Sequence, residues 1–72
     1  MYNVIVVSPD RRVMFYSFEH LYHAQNSIID MVIGRAAVMG ENKSVSELRN
    51  RLILNNAVNY AGWQWHIHEI EG

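Results

Sequence analysis

From Trp63 to Ile70 the side chains alternate without a break. Trp63, Trp65 and Ile67 fall on one side of an extended backbone, and Gln64, His66, His68 and Ile70 on the other. A strand with two indoles on one face has to bury that face against something. In 72 residues there is room for one domain and one core, so 1–72 reads as a single domain. The chain has no cysteine, hence neither disulfides nor thiolate metal ligands to staple a small fold. Stability must come from packing, extended by any self-association. Half of the residues are hydrophobic, a composition that speaks against disorder.

The rest of the chain supplies partners for that strand. Tyr2 to Val7 carries four consecutive β-branched residues and predicts a first strand. Ser8-Pro9-Asp10-Arg11 reads as a turn, and Arg12 to Tyr16 as the return strand of a hairpin. There Val13 and Phe15 share one face, Met14 and Tyr16 the other. Ser17 stands where an N-cap is expected. Phe18, Leu21, Ile28, Val32, Ala36 and Met39 then recur at helical spacing, with Gly40 placed to end the helix. Ile28 to Met39 is apolar almost all round, which predicts burial on more than one side. Ser44-Val45-Ser46-Glu47 reads as a capping box opening a second helix that fades through Asn55, Asn56 and Asn59 and stops at Gly62. The expected fold is α+β in the order β-β-α-α-β: a three-stranded, mainly antiparallel sheet with two helices packed on one face. The other sheet face is left without cover from this chain. Which face takes Trp63 and Trp65 stays open: core, or interface anchors on the uncovered side.

Charge narrows the choice of partner. Six Lys and Arg against seven Asp and Glu give a net charge of -1. A general nucleic-acid binder needs a basic surplus to release counterions, and a nucleic-acid mimic needs an acidic one. Balanced charge therefore favours a protein partner. No apolar stretch approaches the about 20 residues of a membrane span. Met1 runs directly into a strand-like segment with no signal-peptide pattern, so a cytoplasmic protein is expected.

Few constellations suit chemistry. His66 and His68 project from one strand face about 7 Å apart along the chain, and His20 and His23 share a helix face. Either pair suits a divalent metal in spacing, with Glu69 or Glu71 as added ligands, but no tight metal motif accompanies them, and no metal or other cofactor is expected. The carboxylates are scattered over turns, helix starts and the C-terminal end, no nucleophile motif singles out a serine, and the glycines never cluster into a phosphate-binding loop. The expectation is a protein that is not an enzyme.

The hairpin-helix-strand plan, the YSFEHLYHAQNSIIDM helix entry and the closing GWQWHIHEIEG resemble those of small phage-encoded accessory proteins. That group includes inhibitors of bacterial immunity, such as anti-CRISPR proteins, and a small inhibitor of host RNA polymerase. The resemblance implies stoichiometric inhibition of a host protein or protein complex by occluding a surface. Candidate contacts are Arg11, Arg12, Tyr16, Asn55, Asn56, Asn59, Trp63 and Trp65, together with the uncovered sheet face. One alternative is a nucleic-acid-binding or regulatory homodimer paired through that apolar face, and a second is a metal-binding protein using His66 and His68.

Overall fold

The β-branched run Val4 to Val7 and the alternating Trp63 to Glu69 segment find each other: they are the two central strands of one sheet. The structure, a computed structural model, describes residues 1–71. Along the chain lie β1 (Tyr2–Val7), β2 (Val13–Phe18), α1 (Leu21–Val38), α2 (Val45–Asn55), β3 (Ala57–Tyr60) and β4 (Trp63–Glu69). The sheet order is β2-β1-β4-β3 and every neighbouring pair is antiparallel. Both helices pack on one face, and the molecule is a slab of 40 × 28 × 16 Å. The α+β class and the helix-covered antiparallel sheet agree with expectation. The strand count does not: there are four strands, in the order β-β-α-α-β-β.

The extra strand lies where the second helix was expected to fade. Asn56 takes the left-handed conformation (φ 54°) as C-cap of α2, and its N–H donates to the Leu52 carbonyl at 2.9 Å. Asparagine tolerates that conformation better than most residues, so it stops the helix where the sequence offers no glycine. The chain then leaves as β3, and the Asn56 carbonyl accepts the Ile67 N–H at 2.8 Å. Ala61 (φ 50°) and Gly62 (φ 84°) form a two-residue hairpin loop from β3 to β4. Positive φ at both loop positions is the combination that matches the twist of paired strands. Gly62 is therefore a hairpin residue and not a helix stop. A Cβ there would also meet Pro9 of the first turn at 3.3 Å.

Three local expectations are corrected at helix ends. Ser17 is no N-cap: β2 continues through Phe18, and the Ser17 hydroxyl donates to Asn3 Oδ1 across the β1–β2 pair at 2.9 Å. Helix α1 begins at Leu21 after His20, whose side chain makes no cap bond. At α2 only half of the capping box forms. Ser44 Oγ accepts the Glu47 N–H at 3.3 Å, while the Glu47 carboxylate turns to Arg51, four residues on, at 3.1 Å. The C-terminal turn of α1 is also less covered than its composition predicts, with Val38 85% exposed. With only two layers, a helix can be buried on one side alone. The α1 stop itself follows expectation: Gly40 (φ 73°) donates to the Ala37 carbonyl and Glu41 N–H to Ala36, the paired bonds of a Schellman end.

Trp65 is the largest fully buried side chain, 1% exposed. Along one row of the sheet it stands between Val6 of β1 and Val58 of β3, and Ile28, Val32, Leu48 and Leu52 close the same core from the helices. The question of the tryptophan face is thereby answered: both indoles are on the helix side. Trp63 stacks on Trp65 with ring centres 6.0 Å apart and carries the Arg35 guanidinium 4.0 Å above its own ring. Trp65→Ala should cost about 3–5 kcal/mol. That is a large share of the stability of a chain this size, which is about 4–11 kcal/mol at typical per-residue values. Ala61→Asn should instead gain up to about 1 kcal/mol by relieving the left-handed alanine. Urea unfolding followed by tryptophan fluorescence measures both.

Candidate functional site

Because core residues alternate along each strand, their neighbours line the opposite face. Reading across the sheet from β2 to β3, one row there is Phe15, Ile5, His66 and Ala57; the next is Val13, Val7, Gln64 and Asn59. No helix covers these rows. Phe15 is 65% exposed and Val13 50% exposed, while Ile5 and Val7 are half-buried by their neighbours. Beside them Ser17, Asn3 and His68 form a third, polar row. The face is thus an apolar patch centred on β1 and β2 with a polar border on β4.

Strand β2 is exposed on its other face as well. Met14 and Tyr16 point toward the helix layer, but α1 does not reach over them, and they remain 36% and 43% exposed. An open groove runs between this strand and the second half of α1, lined by Met14, Tyr16, Met31, Gly34, Val38 and Trp63. Its floor is low at Gly34, where a Cβ would touch nothing within 4 Å. A more enclosed hollow, of about 40 Å³, lies at the start of α2 beside Lys43, Ser44 and Tyr60. That is space for a few waters, far below the about 300 Å³ or more of a small-molecule site.

The expected contact residues are dispersed. Arg11 and Arg12 sit at the β1–β2 turn, at one end of the exposed strand. Arg11 has a positive φ of 69°, and Arg12 pairs with Asp10 at 3.1 Å. The turn is held by the Ser8 hydroxyl, which bonds the Asp10 carboxylate and accepts the Arg12 N–H at 3.0 Å. Tyr16 belongs to the groove. Asn59 lies on the open sheet face opposite Gln64, whereas Asn55 ends α2 and Asn56 caps it. Trp65 is in the core and Trp63 is partly buried beside it. Phe15 and Val13 were not singled out as contacts, although their alternation with Met14 and Tyr16 places them on the face opposite the core.

The four histidines fall into two separate pairs. His66 and His68 both lie on the open face, and His20 meets His23 edge-on with ring centres 5.5 Å apart. Among the described residues, no cluster of three or more His, Asp or Glu forms a metal-binding group. Arg49 and Arg51 have partners within the fold. Arg49 donates to Asn26 of α1 at 2.7 Å and lies 5.0 Å from the Tyr22 ring centre, and Arg51 pairs with Glu47. Among the described residues no helix is long and apolar enough to cross a membrane. No protein-family model, curated protein or solved structure matches the chain.

Tyr60 has a displaced pKa. Its hydroxyl is shielded from solvent without a well-formed hydrogen bond. Burial first, and then the neighbouring Glu41 carboxylate, raises its pKa above the ordinary phenol value. The folded state therefore holds this proton more tightly than the unfolded chain. Its stabilising effect is full below the ordinary phenol pKa of about 10 and is lost as pH rises through the raised value. Tyr60→Phe should flatten that alkaline loss and leave neutral-pH stability unchanged or slightly higher, because an unbonded buried hydroxyl disappears. Thermal melts at neutral and alkaline pH test this.

Proposed function

We propose that the chain is a non-enzymatic protein-binding module that occludes a surface of a host protein or protein complex, with the open sheet face as its contact. One observation carries the reading: Phe15 and Val13 lie exposed beside Ile5 and Val7 on a face that no element among the described residues covers. Leaving an aromatic of about 150–250 Å² in water is unfavourable unless another surface removes it. Scattered titratable groups and near-zero net charge support a protein partner over a substrate or a nucleic acid. The resemblance to small phage-encoded inhibitors supplies the host: a bacterial complex, held one to one in the manner of an anti-defence protein.

The test is affinity capture from bacterial lysate with the tagged chain, followed by titration of the captured protein. The reading expects a host protein at near-stoichiometric yield. Phe15→Ala should weaken its binding by about 30-fold, the loss of a hot-spot side chain at about 2 kcal/mol. His66→Glu, on the same face but two strands from the β2 edge, should weaken it too. Neither change touches the core, so both variants should melt near the parent temperature. Recovery of no host protein, or capture by both variants as tight as by the parent, would overturn the reading.

A further inference from the structure

Sheet edges are normally defended, by charges, by proline, by bulges or by being very short, because an unpaired strand offers its hydrogen-bonding row to any other chain. β3 meets that expectation: it is a four-residue edge with Asn59 on it, running directly out of α2. β2 does not. Val13-Met14-Phe15-Tyr16-Ser17-Phe18 contains no charge, no proline and no glycine. Its pairing with β1 runs through six consecutive residue pairs with no bulge. The result is an unbroken, uncharged edge with large side chains exposed on both faces.

We propose that the occupant of this edge is a second copy of the chain, with β2 pairing antiparallel to β2 of the partner copy about a two-fold axis normal to the sheet. Directly opposed residues of an antiparallel pair share a face, which restricts the register to a few choices. The one centred on Phe15 sets Phe15 against its own symmetry mate and Met14 against Tyr16 of the partner copy. It also sets Arg11 of each strand, beside the Arg12–Asp10 ion pair, opposite Glu19 of the other, so these opposed charges meet twice. The strand ends are complementary while the strand itself is neutral, and a net charge of -1 leaves little repulsion between copies. The groove by Met31, Gly34 and Val38 leaves room for the Met14 and Tyr16 side chains to be covered from the partner side.

The product is an eight-stranded sheet with all four helices on one side. Its open face carries a single continuous row in which the two Phe15 rings stand between the two Ile5 side chains. Two half-patches become one platform, and a bound surface would span the two-fold axis. Pairing at β2 needs no foreign partner. A chain that captures no host protein but dimerises through β2 would contradict the function proposed above and leave this inference standing.

The absence of cysteine makes the register directly testable. Phe15→Cys places one thiol per chain beside its symmetry mate, within the about 4.5–5.5 Å Cβ spacing of opposed residues. Leu54→Cys, exposed on α2 on the far side of the sheet from β2, serves as the comparison. Under copper-phenanthroline oxidation Phe15→Cys should convert to covalent dimer at least tenfold faster than Leu54→Cys. Light scattering of the unaltered protein should give twice the chain mass of 8.4 kDa at micromolar concentrations. Arg11→Glu combined with Arg12→Glu should raise the dissociation constant by roughly tenfold, and adding Glu19→Arg should restore it. These positions are exposed, and circular dichroism checks that the variants keep the fold. A monomer at every concentration, equal cross-linking of the two cysteine variants, or a dimer indifferent to the charge exchange would overturn the proposal.

Discussion

The Trp65 indole sets the arrangement of the helix side of the sheet. Val6 and Val58 flank it along one cross-strand row, and Trp63 stacks against it. Ile28, Val32, Leu48 and Leu52 close the core above. A residue of that size makes up a large share of the core in a chain of 72 residues, and both helices are needed to seal it. Once they are committed to that face, no described element covers the other. The indole N–H is buried without a bonding partner, a cost of about 1–3 kcal/mol that the packing has to offset.

From this follows an uneven distribution of exposure. The central strands β1 and β4 are protected by pairing on both sides and by helices above. β2 has neither advantage: it is an edge, and α1 leaves most of it uncovered. Phe15, Val13, Met14 and Tyr16 therefore stay in contact with water on two faces of one strand. The proposed function draws on one of those faces and the proposed self-pairing on the edge between them. Both follow from the same shortage of covering elements.

Much of this was legible in the sequence, because period-2 and period-3.6 patterns translate directly into faces. The β1–β2 hairpin, the body of α1, the Ser44 cap and the alternation of β4 all lie where the residues place them. β3 was not legible. Asn55-Asn56-Ala57-Val58-Asn59 has too little alternation to read as a strand, and Ala61 is an unusual residue for a loop that requires positive φ. The end of β2 was misread for a related reason. Phe18 stands three residues before Leu21, as a helix stripe requires, yet it also continues the Met14–Tyr16 alternation, and pairing with Tyr2 decides in favour of the strand. The element order predicts an uncovered sheet face, but its centre at Phe15 needed the strand order, since only an edge strand leaves so much of an aromatic exposed.

Residue-resolved amide hydrogen exchange at low and high protein concentration tests the central claim, that the uncovered face and the bare β2 edge are where this chain meets other molecules. Outward-facing amides of Val13 to Phe18 should exchange quickly in dilute solution and become markedly slower as concentration rises, while amides of α2 and β3 stay unchanged. Rapid, concentration-independent exchange along β2, with new protection appearing instead at α2 or β3, would contradict the account.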